Sequence, residues 1–221
     1  MTDMFGAFLY WFSTHALGPV VKAVWLKRAG GVAHIPETGP VVLAANHVSF
    51  LDFALLVIVC PRRVYFLVED FFYHMPVFAF LLRASGQVRV SKDRPLAVVD
   101  QAAAILARGD VLCVFPEGTR SWTGDLQKAF TGLGKIALDG KADIIPVAIL
   151  GAFEAYPRQR KIPRFKKMCE VDLLEPVRYA DVSRNSPRDI VHEMVMPRIA
   201  QRMGKEYPYR RSAKPCLAGE D

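Results

Sequence analysis

No apolar stretch of this 221-residue chain runs unbroken for the ~18 residues that a membrane-spanning helix requires. Met4 to Phe12 is nearly all apolar, but Ser13, Thr14 and His15 interrupt it, and Lys22 breaks the second run, Val20 to Leu26. A positively charged start and a small-residue cleavage site are both missing, which argues against a secretory signal. Cysteine is scarce: Cys60, Cys113, Cys169 and Cys216 stand at no metal-ligand or redox-motif spacing. A reducing compartment and no structural disulfide are the expectations. Neither an internal repeat nor a low-complexity tract occurs. Acidic residues are in deficit, 22 against 29 basic ones, for a formal net charge of +7. That balance favours an anionic partner: nucleic acid, anionic lipid or a phosphorylated substrate.

What is present fits one domain with a helical appendage, long enough to bury a full core. Residues 1–28 read as a helical segment lying in a membrane interface. Tyr10, Trp11 and Trp25 suit that depth, and Lys22, Lys27 and Arg28 can reach headgroups. The competing reading is a helix packed on its own domain. Residues 29–206 form the main domain, and 207–221 a polar, flexible tail. Strand-like runs at 41–44, 64–68, 87–90, 111–115, 144–149 and 168–174 alternate with helical stretches at 49–59, 71–82, 95–108, 132–139 and 186–203. This alternation predicts an α/β fold, a central mixed sheet covered by helices on both sides.

Two strand-end segments carry chemistry. In Asn46-His47-Val48-Ser49-Phe50-Leu51-Asp52, His47 and Asp52 would point about 140° apart on one ideal helix. They can meet only if His47 precedes the helix. Ser49 and Asp52 form an S-x-x-D capping box, with Ser49 as N-cap and Asp52 at the third helical position. An ionised Asp52, favoured by the helix N-terminus, can hold one imidazole nitrogen of His47 and leave the other free as a general base. A capping box explains Asp52 without chemistry, and a loop histidine is often only a polar surface residue, so spacing alone leaves both readings open.

The second segment is Phe115-Pro116-Glu117-Gly118-Thr119-Arg120-Ser121. Pro116 and Gly118 favour a tight turn, Gly118 lets backbone N–H groups approach a ligand, and the fork of Arg120 suits a phosphate. Thr119 and Ser121 add hydroxyl donors. Glu117 would repel phosphate, so it is expected to meet a substrate hydroxyl or hold Arg120. A plain turn with a surface Glu–Arg pair is the bland alternative.

Together the segments resemble the glycerolipid acyltransferase family, the 1-acylglycerol-3-phosphate and glycerol-3-phosphate acyltransferases and their relatives. The resemblance rests on the H-x4-D motif at His47 and Asp52 and the F-P-E-G-T-R-S motif at 115–121, and it spans roughly Gly39 to Gly151. It implies that His47 is the general base, that Asp52 orients it, and that Glu117, Gly118, Thr119 and Arg120 serve the acceptor. It also implies acyl-CoA or acyl-carrier protein as donor, a lysophospholipid acceptor such as lysophosphatidate, and no metal or other cofactor. The run Ile144-Ile145-Pro146-Val147 is similar to a stretch usually assigned to the acyl pocket. Two departures fall on acceptor binding. In Gly86 to Arg94, Lys92 stands where arginine is common, with Arg89 and Arg94 nearby as the other candidate phosphate ligands. Phe130-Thr131-Gly132 lacks the lysine that many relatives carry.

Other signals weigh less. Gly132-Leu133-Gly134-Lys135 lacks the spacing of a phosphate loop. The basic run Arg158, Arg160, Lys161, Arg164, Lys166 and Lys167 suits anionic lipid rather than nucleic acid, with a solvated charged loop as the alternative. His15, His34, His74 and His192 have no acidic partner at useful spacing. The resulting expectation is a peripheral or monotopic enzyme on the cytoplasmic face of a membrane; a catalytically silent membrane-binding module competes with it.

Overall fold

The computed structural model describes residues 2–91 and 95–210. Its strands are β1 (Leu26–Gly30), β2 (Val41–Ala45), β3 (Val64–Glu69), β4 (Val88–Val90), β5 (Val111–Val114), β6 (Asp143–Leu150) and β7 (Cys169–Leu173). They build one seven-stranded sheet in the order β1-β7-β6-β2-β5-β3-β4. β4, β3, β5, β2 and β6 are mutually parallel; β7 runs antiparallel to β6, and β1 pairs parallel with β7. The sheet is therefore mixed, as its sequence pattern predicts.

Every residue of β2 and β5 is buried, which requires cover on both faces. Val41, Leu43 and Ala45 enter one layer with Leu51, Leu55, Leu56 and Val59 of the Leu51–Val59 helix. Val42 and Ala44 enter the other, with Ala102, Ile105, Leu133, Ile136, Met196 and Ile199 from three further helices. The period-2 alternation of β2 thus divides the core into two halves. Cys60, Cys113 and Cys169 are free and buried in this interior, and Cys216 lies outside the described residues.

Three expectations are corrected. First, the boundary at residue 28 falls inside β1. Lys27 reaches Glu170 at 2.8 Å and Arg28 reaches Asp172 at 2.6 Å, so neither cation belongs to a helix facing headgroups. The short Leu26–Gly30 run shows no alternation; its strand character comes from an edge and two carboxylates on β7, far along the chain. Second, the chain stays packed into its supposed tail. Tyr207 is buried, its hydroxyl accepts the Ala129 N–H at 3.2 Å and lies 2.8 Å from His192 Nδ1. Residues 211–221 lie outside the described ones. Third, two histidines do find carboxylates: His34 meets Glu175 at 3.2 Å and His74 meets Asp70 at 3.0 Å.

Thr2 to Val24 is helical, with a widened turn at Ser13–Leu17. One face packs on the domain: Tyr10 Oη donates to the Arg62 carbonyl at 2.7 Å, and the buried Gly6 and Gly18 allow close approach. The other face leaves Phe8, Trp11, Phe12, Leu17 and Val20 exposed. Among the described residues no helix is long and apolar enough to cross a membrane.

Candidate active site

The register of β2 against β5 sets Ala44 opposite Val114, so the loops that follow these parallel strands emerge side by side. Ligand sites of α/β sheets lie at such strand ends. Asn46 fixes the first loop to a third strand. Its Nδ2 donates to the Ile149 carbonyl at 2.9 Å, and its Oδ1 accepts the Ile149 N–H at 2.7 Å, so a side-chain amide extends the ladder between β2 and β6. Sequence reasoning gave Asn46 no role, because an amide that imitates backbone is visible only once its partner strand is known.

His47 stands ahead of the helix that contains Asp52, as the spacing demands. Its Nδ1 lies 2.8 Å from Asp52 Oδ2, and the same oxygen accepts the N–H groups of Val48 and Ser49, each at 2.8 Å. Asp52 is wholly buried, and its Oδ1 has no partner among the described residues. Three donors converging on one oxygen fix the carboxylate and, through it, the imidazole. The capping box is only half realised. The carboxylate arm reaches back to Ser49, but the Ser49 hydroxyl accepts from Leu51 N at 3.1 Å and donates to the Tyr156 carbonyl at 2.7 Å. The helix consequently begins at Leu51 and not directly after Ser49. The His47 ring stacks on Phe115 at 4.0 Å between centroids and meets the edge of Phe53 at 5.4 Å. Its Nε2 is left without a partner among the described residues, as a base requires.

Glu117 does not hold Arg120; backbone N–H groups occupy both of its oxygens. Its Oε1 accepts the His47 N–H at 2.9 Å and its Oε2 accepts the Gln127 N–H at 2.7 Å, with the residue almost fully buried. Ser121 N donates in turn to the His47 carbonyl at 2.8 Å. Both backbone groups of His47 are therefore held by the second loop. Burial pushes the Glu117 carboxyl up to about 7, against the lowering effect of its two N–H donors.

Of the remaining second-loop residues, Ser121 is buried, its hydroxyl donating to the Asp125 carbonyl at 2.7 Å and accepting the Gly124 N–H at 3.0 Å, while Gly118 and Thr119 are exposed and Arg120 is half-buried. Gly118 adopts φ +69°, and a Cβ there would come within 2.8 Å of the Phe130 ring; its N–H is spent on the Phe115 carbonyl at 3.0 Å, closing the turn instead of facing a ligand. Thr119 is exposed and accepts from Arg158 Nη1 at 3.3 Å. The Arg120 guanidinium lies 3.7 Å from the centroid of Phe50, and no carboxylate of the described residues pairs with it. Burial first, and the neighbouring charge of Arg158 second, lower its pKa.

The family model for acyltransferases matches residues 28–150. The chain belongs to the acyltransferase family. It is 28% identical over 119 residues to the 1-acyl-sn-glycerol-3-phosphate acyltransferase of Cocos nucifera, covering 52% of this chain and 39% of that protein. It is 26% identical over 151 residues to 1-acyl-sn-glycerol-3-phosphate acyltransferase alpha of Mus musculus, covering 66% of this chain and 53% of that one. The chain thus spans about half or less of the length of these curated relatives. In fold it is similar to PlsC, the 1-acyl-sn-glycerophosphate acyltransferase of Thermotoga maritima, with a TM-score of 0.69 at 21% identity over 93% of this chain and 80% of that chain.

Of the third group of expected ligands, only Arg89 falls among the described residues of this acyltransferase-family fold. Arg89 sits on β4, at the far edge of the sheet, where its guanidinium pairs with Asp70 and lies over Tyr73. Lys92 and Arg94 lie outside the described residues. Ile144, Ile145 and Val147 are fully buried in the two core halves. Further along, Ile149, Leu150 and Gly151 join Val48, Phe153 and Met203 around a cavity of about 480 Å³, which Arg160, Arg164 and Lys205 also line.

Proposed function

We propose that this protein transfers a fatty acyl group from acyl-CoA or acyl-carrier protein to the free hydroxyl of a lysophosphatidate-like acceptor, making phosphatidate. The observation that carries the reading is the 2.8 Å bond between His47 Nδ1 and Asp52 Oδ2, which leaves Nε2 free beside a loop whose Arg120 forms no ion pair with a described carboxylate. As the acceptor oxygen attacks the thioester carbonyl carbon, His47 Nε2 takes its proton. The C–S bond then breaks, and the departing thiolate takes that proton from the imidazolium. Asp52 stabilises the imidazolium, as the acidic partner does in other His-based acyl transfers. Positioned base catalysis of this kind contributes roughly 100- to 10,000-fold. No metal and no further cofactor enter the scheme.

The cavity beside Val48 supports a donor whose acyl chain and phosphorylated carrier require apolar and basic surface together. The exposed aromatic face of the N-terminal helix supports work at an anionic membrane surface, and we place the enzyme there peripherally, on the cytoplasmic side. Nucleic acid has no part in the reading. A second acceptor class, glycerol 3-phosphate, another lysophospholipid or a lipid amine, is favoured by the engagement of Arg89 with Asp70 and by Thr131, where many relatives have lysine.

Purified protein given acyl-CoA and lysophosphatidate should release free thiol and form phosphatidate. Equal thiol release by His47→Ala would remove His47 from the chemistry. A strong preference for acceptors without phosphate would remove lysophosphatidate.

A further inference from the structure

A third loop, following β6 and the Ala152–Ala155 helix, closes on the two catalytic ones. Ser49 Oγ donates to its Tyr156 carbonyl at 2.7 Å, and Gln159 Nε2 donates to the Trp122 carbonyl at 2.7 Å. Between these two ties sits Arg158. Its Nη1 donates to Thr119 Oγ1 at 3.3 Å, and its guanidinium lies 4.3 Å from the centroid of Trp122. Arg120 is held in the same manner over Phe50 at 3.7 Å. Two guanidinium groups are thus brought near one another, each supported by an aromatic face, and no described carboxylate pairs with either. Their mutual repulsion contributes to the lowered pKa of Arg120, after burial.

Like charges gathered without a counterion repel each other, and a bound anion relieves that repulsion. A solvated charge run has no reason to stack on aromatics or to bond the active-site loop. Arg89, by contrast, has its carboxylate already. We propose that Arg158 is a second phosphate-binding residue. With Arg120 it grips the terminal phosphomonoester of the acceptor, so that the site selects a dianionic phosphate over a phosphodiester or an uncharged glycerol. This deepens the reading given above and rests on its phosphate-bearing acceptor. Planar guanidinium forks suit two edges of one phosphate, a geometry that lysine does not reproduce.

The test compares the full chain with Arg158→Gln and Arg158→Lys, using acyl-CoA and short-chain, water-soluble acceptors without vesicles. The acceptors are lysophosphatidate, the corresponding glycerophosphocholine and monoacylglycerol. For Arg158→Gln the KM for lysophosphatidate should rise roughly 10- to 100-fold, the factor carried by a lost charge-assisted hydrogen bond. The fall in kcat should be no more than a few-fold, and selectivity for lysophosphatidate over the other two should drop by the same factor as KM rises. Arg158→Lys should recover part of the loss. A purely structural arginine would instead weaken all three acceptors alike, and that result overturns the proposal. An unaltered KM without vesicles, with a defect appearing only on anionic vesicles, assigns Arg158 to the lipid surface and overturns it too. Wild-type protein that shows no preference for phosphomonoester acceptors defeats the acceptor reading itself, whereas a wild-type preference retained in Arg158→Gln defeats only this inference.

Discussion

The backbone N–H of His47 donates to Oε1 of Glu117 at 2.9 Å, so the acidic residue of the second loop holds the imidazole-bearing residue in place. Glu117→Gln tests this role. A glutamine has one acceptor oxygen for two N–H groups, and its amide must oppose either His47 N or Gln127 N. Leaving a buried donor unpaired costs about 1–3 kcal/mol. We expect kcat to fall at least 10-fold with KM for the acceptor little altered, together with a lower denaturant midpoint. A variant with a raised acceptor KM and normal stability would return Glu117 to the substrate.

Burial of Glu117 also sets a pH dependence of stability. The carboxyl rises from 4.5 to about 7 in the folded chain. Below the lower value it is neutral in both states, and its contribution is complete. Between the two values the folded protein keeps a proton that the unfolded chain has lost. Stability therefore falls as pH rises through about 7, by on the order of 3 kcal/mol in all. Urea unfolding at a series of pH values from 5 to 8 should show this slope in the wild type. Glu117→Gln should lack that component, and parallel slopes in the two proteins would contradict the assignment.

Asp52→Asn addresses the other partner of His47. One asparagine oxygen can still accept the Val48 and Ser49 N–H groups at the Oδ2 position, which preserves the loop. The neutral amide no longer stabilises an imidazolium, and its NH2 falls where Oδ1 now has no partner. Single-turnover thiol release should slow by about 100-fold or more. Asp52→Asn combined with His47→Ala should be barely worse than His47→Ala alone, since groups acting as a unit are not additive. Additive losses would mean that the two residues act separately.

The alternation of buried strands and helices was legible along most of the chain, because strands such as Val111–Val114 are apolar on both faces. So was the requirement that His47 stand outside the helix of Asp52. What escaped the sequence depended on partners distant in it. β1 exists through its pairing with β7, Asn46 works by copying backbone for Ile149, and Tyr207 is buried through Ala129 and His192. The backbone partners of Glu117 escaped for a related reason. A carboxylate in a turn implies a charged partner, whereas here its partners are N–H groups that carry no side-chain signature. Arg158 was hidden inside a run of six basic residues, and only its contacts with Trp122 and Thr119 set it apart.

The N-terminal helix supplies the last prediction. Its inner face is tied to the domain by Tyr10 and Arg62, so deleting it risks the fold, and a deletion must in any case stop before β1 at Leu26. Phe8, Trp11 and Phe12 are 55%, 53% and 42% exposed, so changing them to serine should lower the thermal midpoint only modestly and leave the domain folded. Burying one large apolar side chain fully is worth about 1.5–3 kcal/mol, and three partly buried rings together should change vesicle partitioning at least 10-fold. The triple variant should sediment correspondingly less with anionic vesicles. The residual binding should be the more salt-sensitive part, because ionic strength screens lysine and arginine but not apolar contact. Unchanged sedimentation of the triple variant would exclude this helix face as the membrane contact and leave its aromatics without that role.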